Sequence, residues 1–258
     1  MANKDTISKT VTVALVLCVV CSIIVSTAAV SLRPAQKANK EGDIKSNILA
    51  AAGMLEEGKS LDDQFSKIEV KLVDIETGKY SDDVDVKTYD QFKASKDPKF
   101  SHDLASDVDI AGLNRLEKYA KVYVVKGSNG GVERVVLPIR GYGLWSTLKG
   151  FIALEADLNT VIGLGYYEHG ETPGLGGEVD NPKWKQIWHG KKAYNANGEV
   201  ALSVIKGTVS ASDASAQYKV DGLSGATLTS KGVDNMIKFW LGDNGYKPYL
   251  ANLKNGEA

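Results

Sequence analysis

Apolar and polar positions divide the chain into an uncharged N-terminal run, a polar stretch and a longer region of alternating residues. Residues 11–32 (VTVALVLCVVCSIIVSTAAVSL) carry no charge. At ~1.5 Å per residue, a helix of this length spans about 33 Å, enough for a bilayer core of roughly 30 Å. A cleaved signal peptide is the alternative, with residues 26–28 as its small-residue cleavage site. Because the apolar run continues to Leu32, the pattern favours a retained transmembrane helix after a short tail, residues 1–10.

Residues 33–112 are interpreted as a connector and the N-terminal part of the soluble region. Apolar residues recur at helical spacing over residues 44–55, which predicts a helix leaving the membrane. The period changes to two at residues 68–72 (IEVKL), which predicts a half-buried strand. The Asp- and Lys-rich residues 81–109 indicate surface loops.

From residue 113 onward, strands dominate and helices come late. Asn129-Gly130 predicts a hairpin turn, because both residues accept positive φ. The order of elements predicts an α+β fold, in which a single N-terminal transmembrane helix precedes a mixed sheet-plus-helix domain over residues 113–258. The predicted strands are residues 121–126, 132–139, 151–155, 161–167 and 200–205, and the predicted helices are residues 182–189 and 229–241.

Composition excludes several classes of protein. The formal net charge of -1 argues against nucleic acid as a partner, which requires a basic surface. The two cysteines, Cys18 and Cys21, both lie in the apolar run, so the remaining sequence offers neither disulfides nor cysteine-ligated clusters. Their C-x-x-C spacing is typical of a metal or redox pair, but with no histidine nearby we interpret them as small apolar residues of a helix.

The candidate chemistry lies at residues 221–230 (DGLSGATLTS). Apolar residues follow at helical spacing from Val233 to Leu241, so Thr229 or Ser230 is expected to cap a helix. Thr227 would then lie just before a helix N-terminus, where free N–H groups and the dipole favour phosphate. On physical grounds alone, a turn that binds no ligand remains the alternative.

Two further segments suggest a flat ligand. Residues 165–177 (GYYEHGETPGLGG) form a glycine-rich loop after a predicted strand, and residues 141–146 (GYGLWS) offer an aromatic ring for stacking. Either segment alone is also typical of ordinary turns and core aromatics. A metal site formed by His169 and Glu171 has weak support, because the other histidines are distant in sequence.

Together these segments resemble a known family. Residues 221–227 match the D-x-x-[ST]-G-A-T motif at which a flavin transferase attaches FMN to threonine. With GYGLWS, with GETPGLG at residues 170–176 and with one N-terminal apolar helix, the whole chain resembles the NqrC subunits of the Na+-translocating NADH:quinone oxidoreductases. The analogous covalent-FMN subunit of the Rnf-type ion-pumping ferredoxin:NAD oxidoreductases shares the flavin motif and is the alternative. The long segment before residue 113 favours the quinone reductase.

The resemblance implies a covalent cofactor and names its surroundings. Thr227 would bond through its hydroxyl oxygen to the FMN phosphate, and Asp221 would serve in recognition by the transferase. No residue would act as a catalytic acid, base or nucleophile, and no metal is expected. Ser224, Gly225 and Ala226 would form the turn that presents Thr227, and Lys206 would lie near the phosphate. Around the isoalloxazine ring the resemblance implies Thr172, Gly174, Leu175, Gly176 and Trp145.

The resemblance also implies electron relay between partner subunits of a sodium-exporting complex in the bacterial inner membrane. NADH oxidation and quinone reduction would occur in other subunits, in agreement with the absence of a G-x-G-x-x-G fingerprint. The family's soluble domain lies on the periplasmic side, whereas Lys and Arg are more frequent after the apolar run than before it, which favours the cytoplasm. We expect the periplasmic side, because a covalent tether retains a cofactor where no free flavin pool exists.

Overall fold

The computed structural model describes residues 6–258, so positions 1–5 of the predicted N-terminal tail lie outside the described residues. One compact unit ends at Ile44, and a second comprises Lys45–Ala258. The helices are α1 (Ile7–Ala51), α2 (Leu61–Phe65), α3 (Gln91–Ala94), α4 (Pro182–Gln186), α5 (Thr227–Trp240) and α6 (Lys247–Asn255). The strands are β1 (Ile68–Asp74), β2 (Lys79–Tyr80), β3 (Ser101–Asp103), β4 (Arg115–Glu117), β5 (Tyr119–Lys126), β6 (Val132–Tyr142), β7 (Thr147–Glu155), β8 (Val161–Glu168), β9 (Ser203–Val204) and β10 (Lys219–Val220).

Helix α1 contains the whole apolar run and continues through the polar residues behind it. Among the described residues, it is the one helix long and apolar enough to cross a membrane. The sequence predicted two helices, over residues 11–32 and 44–55, but the structure joins them, with Pro34 inside the helix. The residues between them are mostly Ala, Gln, Lys and Glu, which favour helix, so the change in polarity does not interrupt the backbone. The helix ends where Gly53 adopts a φ of +64°.

The second unit is built on a six-stranded antiparallel sheet in the order β2-β1-β5-β6-β7-β8. The four strands predicted between residues 121 and 167 are confirmed as β5 to β8. Strand β1, which the sequence placed in the connector, pairs with β5 from Ile68 to Asp74. The sheet therefore extends across the predicted boundary at residue 113.

Outside this sheet the structure is more irregular than predicted. The strand expected at residues 200–205 is reduced to the two residues of β9, which pairs in parallel with β10. The helix expected at residues 182–189 ends at Gln186. Residues 81–109, predicted as loops, include the short elements α3 and β3.

Helix α5 packs on β6 and fixes the position of the site. Its predicted apolar face is confirmed, and it joins one core with residues of the sheet, α4 and α6. A Cβ atom at Gly141 would lie 2.8 Å from Met236 Cβ, and one at Gly232 would collide with the Tyr142 carbonyl oxygen. This close approach places the start of α5 against the end of β6, where the GYGLWS segment follows.

Candidate functional site

The site begins at the first residue of α5. Ala226 is the N-cap residue, Thr227 is the first helical residue, and no side chain caps the helix. The expected cap by Thr229 or Ser230 was wrong, because the helix starts two residues before Thr229 and buries both hydroxyls in its first turn. Ser230 Oγ instead accepts a hydrogen bond from the Leu223 N–H, at 2.9 Å. The N–H groups of the first turn thus lack a side-chain acceptor, whereas the Thr227 side chain is exposed.

A cavity of about 220 Å³ lies beside this helix start and is lined by Thr227, Lys206 and Lys231, among others. Lys231 lies one helical turn after Thr227. Lys206 lines the cavity from the loop after β9. This loop packs closely on Gly222, where a Cβ atom would collide with the Ile205 carbonyl oxygen. One carboxylate, Asp234, also lines the cavity and is paired with Lys238 at 2.7 Å. The two ammonium groups and the positive end of the helix dipole outweigh it and favour an anion next to the Thr227 hydroxyl.

The turn before Thr227 lies under the glycine-rich loop. Gly225 has a φ of +72°, and a Cβ atom there would lie 3.2 Å from Leu175 Cδ2. Ser224, next to it, is exposed. Asp221 bonds the loop after β9 that also carries Lys206, since its Oδ1 accepts a hydrogen bond from the Val209 N–H at 2.8 Å.

Glu171 joins the three segments that the sequence singled out. Its Oε1 accepts hydrogen bonds from the N–H groups of Leu144, Trp145 and Ser146, at 3.1, 3.0 and 3.2 Å. Its Oε2 accepts one from Thr229 Oγ1, at 2.7 Å. Burial acts to raise the pKa of this carboxyl, but these donors outweigh burial and hold its pKa below the ordinary value.

The glycines of the loop have different roles. A Cβ atom at Gly176 would lie 2.6 Å from both Glu171 Oε2 and Thr229 Oγ1, so only glycine leaves room for that hydrogen bond. Gly174 has a φ of +76° with no described protein atom within 4 Å of an added Cβ, so its backbone conformation, and not a lack of space, favours glycine. Thr172 is exposed, and its carbonyl oxygen accepts hydrogen bonds from two N–H groups of the loop.

Large apolar side chains around the site are exposed. Trp145 is 68% exposed, Leu228 60%, Tyr142 50% and Leu175 46%. Such a concentration of uncovered apolar surface indicates a binding surface.

Comparison with known proteins identifies the family. A family model described as an FMN-binding domain matches residues 143–242, a range that includes Trp145, Glu171 and Thr227. The NqrC subunit of the Na(+)-translocating NADH-quinone reductase of Pseudomonas aeruginosa is 52% identical over 264 aligned residues, which cover 100% of both chains. The chain belongs to this NqrC family.

Further relatives agree with this assignment. The NqrC subunit of the Haemophilus ducreyi Na(+)-translocating NADH-quinone reductase is 49% identical over 98% of this chain and 96% of its own. The crystal structure of Shewanella oneidensis NqrC superposes with a TM-score of 0.77 at 35% identity, covering 84% of this chain and 99% of that one. The crystal structure of the corresponding subunit from Parabacteroides distasonis gives a TM-score of 0.65 at 30% identity, over 85% and 96% of the two chains. The α+β fold expected from the sequence is confirmed, and the chain is assigned to the NqrC family rather than to the Rnf-type subunits.

The residues of this NqrC family member fit FMN in two parts. The cavity beside Thr227 is smaller than the roughly 300–1,000 Å³ that encloses a drug-sized ligand. It fits the phosphate end of the cofactor, next to Lys206 and Lys231. Outside the cavity, Leu175 and Trp145 expose apolar surface of the kind that suits an isoalloxazine ring.

The structure brings most of the predicted site residues together and leaves three, Asp221, Gly174 and Thr172, outside that group. The Asp221 carboxylate bonds the loop that carries Lys206, and Gly174 and Thr172 are exposed. The alternative metal pair is also separated, because His169 Nε2 contacts Asp180 Oδ2 at 2.7 Å while both oxygens of Glu171 accept other hydrogen bonds. The predicted residues that meet around the start of α5 are Ser224, Gly225, Ala226, Thr227, Leu175, Gly176, Trp145 and Lys206.

Sequence reasoning missed several residues of the site. Lys231 could have been found, because it follows Thr227 by four residues and lies in the first turn of the predicted helix, residues 229–241. Tyr142 and Leu228 adjoin the segments that were singled out but were treated as ordinary motif positions. Glu171 was considered only as a metal ligand, and its hydrogen bonds to residues 25 to 58 positions away leave no local signal.

Proposed function

We propose that Thr227 carries FMN through a phosphoester between its Oγ1 atom and the cofactor phosphate. The supporting observation is an exposed hydroxyl at the first residue of an uncapped helix, beside a cavity that also contains Lys206 and Lys231. A flavin transferase makes the bond. The Oγ1–P bond forms, the hydroxyl loses its proton, and the phosphorus loses the group that it carried in the flavin donor.

The surrounding residues divide into a tether and a ring pocket. Ser224, Gly225 and Ala226 form the turn that presents Thr227, and Asp221 serves in recognition by the transferase. Around the ring lie Thr172, Gly174, Leu175, Gly176 and Trp145. Lys206 and Lys231 neutralise the phosphodiester charge that remains after attachment.

The chain serves as an electron-transfer subunit of a Na+-translocating NADH:ubiquinone reductase. Bound flavin accepts and releases electrons singly or in pairs. The residues of this chain hold and orient the cofactor, and they present it to partner subunits that oxidise NADH, reduce quinone and export sodium.

Residues 11–32 of α1 anchor the chain in the bacterial inner membrane, with the FMN-binding domain on the periplasmic side. There a covalent tether maintains a high effective concentration of cofactor despite dilution outside the cell. Fusions at the C-terminus test this topology. A reporter active only in the periplasm should work, and activity of a cytoplasmic reporter would refute the topology.

Fluorescence on a denaturing gel tests the attachment. The full chain expressed with a flavin transferase should give a fluorescent band, and Thr227→Ala should give none. Thr227→Ser retains a hydroxyl and should keep part of the signal. Thr208→Ala removes another exposed threonine hydroxyl outside the motif and should leave the band unchanged.

A further inference from the structure

Glu171 is a buried carboxylate whose hydrogen bonds all go to the site. It is 5% exposed, and no salt bridge to it is present among residues 6–258. Its charge is instead balanced by three consecutive backbone N–H groups, from Leu144 to Ser146, and by the hydroxyl of Thr229. Successive N–H groups of this kind form an anion-binding concavity, here filled by a side chain of the same protein.

Two glycines of the motifs make room for this carboxylate. A Cβ atom at Gly143 would lie 2.6 Å from Glu171 Oε1, and one at Gly176 would lie 2.6 Å from Glu171 Oε2. Both glycines are therefore required by the protein itself, before any ligand is considered.

We infer that Glu171 is a positioning residue that assembles the flavin pocket before the cofactor is attached. It holds the segment after β6, the loop after β8 and the first turn of α5 at one point. These three segments carry Trp145, Leu175 and Thr227, which the pocket needs in fixed relative positions. The inference rests on the proposed function for the identity of the ligand, but the hydrogen-bonded arrangement itself consists of protein groups.

Amide hydrogen exchange in the flavin-free full chain tests the arrangement directly. Hydrogen bonds to a charged group contribute enough that Glu171→Ala should speed exchange at residues 144–146 by roughly tenfold or more. Glu171→Gln keeps an oxygen that can accept the three N–H groups and should restore most of the protection. Thr229→Val removes the other donor and should loosen the start of α5.

Glu117→Gln is the matched control. Glu117 is also a buried carboxylate, hydrogen-bonded by Arg140 at 2.5 Å and by Gln91 at 2.7 Å, none of which is among the site residues. Its loss should lower the melting temperature without changing exchange at residues 144–146. If Glu171→Ala and Glu117→Gln change that exchange equally at equal loss of melting temperature, Glu171 has only a general structural role and the inference is wrong.

Flavin attachment supplies the second measurement. With added transferase and flavin donor, Glu171→Ala should acquire flavin about tenfold more slowly than the wild type. Glu171→Gln should recover most of the rate. Glu117→Gln should match the wild type at a temperature where it is folded. Equal rates for Glu171→Ala and wild type would overturn the inference. Failure of the wild type itself to acquire flavin would refute the proposed function, while the exchange measurement would still decide the role of Glu171.

Discussion

Leu175 lies directly over Gly225, with its Cδ2 atom 3.2 Å from the position that a Cβ atom of residue 225 would occupy. The contact joins the glycine-rich loop to the turn that presents Thr227. The two motifs are about fifty residues apart in sequence, and this contact makes them parts of one surface.

Gly225→Ala should therefore slow flavin attachment more than backbone strain alone would. The positive φ costs a residue with a Cβ about 1–2 kcal/mol, and the new methyl group also displaces Leu175. Gly198→Ala is the control, because Gly198 has a φ of +75° but no atom within 4 Å of an added Cβ. Both variants should lose similar stability in urea unfolding, but only Gly225→Ala should show slower flavin attachment. Equal attachment rates would contradict this contact's role.

Neutralising the two lysines of the cavity should slow flavin attachment. Lys206→Gln and Lys231→Gln should each slow flavin attachment roughly twofold to fivefold. Their effects on the activation free energy of attachment should add. The effect should shrink at high salt, because exposed charges are screened. Lys254→Gln, at an exposed lysine of α6, is the control and should match the wild type. Rates that are insensitive to both cavity lysines would place the phosphate elsewhere.

Gly174 should tolerate asparagine better than valine. Its surroundings are open, so the substitution acts through the positive φ, which asparagine adopts more readily than a β-branched residue. Gly174→Val should destabilise the loop and shift the flavin absorption spectrum, with the flavin still attached. Gly174→Asn should keep a spectrum close to the wild type. If both variants shift the spectrum equally, crowding of the ring rather than backbone strain is the cause.

Glu171 should make the free energy of unfolding depend on pH in the acidic range. Its pKa in the folded chain is below the ordinary 4.5. A carboxyl with a lowered folded pKa contributes stability that is fully present above the unfolded pKa and is lost as the pH falls through the folded pKa. The wild type should thus exceed Glu171→Gln in urea midpoint most at neutral pH, and the gap should close on acidification below 4.5. A gap that widens in acid would contradict this assignment.

The sheet and α5 were predictable because their signals are local. Strands β5 to β8 are short runs rich in apolar residues, most of which are buried. Val233, Met236 and Ile237 recur at helical spacing, which reports the buried face of α5. The start of α5 was misplaced by two residues, because serine and threonine also occur inside a first turn when their hydroxyls find buried partners, as Ser230 and Thr229 do. The continuity of α1 was missed because polarity was taken for a break in the backbone.

The sequence indicates the proposed attachment residue but not the residues that support it. Thr227 follows from a motif within seven residues, whereas Glu171 depends on Leu144 and Thr229, which only the fold brings near. Asp221 is a motif residue whose carboxylate proved to bond Val209, in the loop that carries Lys206. Local sequence thus indicates the tether, and tertiary structure determines the pocket around it.

Peptide mapping by mass spectrometry is the most direct test of the central claim, that Thr227 bears the flavin. The full chain expressed with a flavin transferase should yield a peptide containing residues 221–230 that is heavier by the mass of FMN less one water, with fragment ions that assign the addition to Thr227. The same peptide from Thr227→Ala should carry no addition. Flavin mass on that peptide in the alanine variant, or on a different peptide of the wild type, would contradict the account.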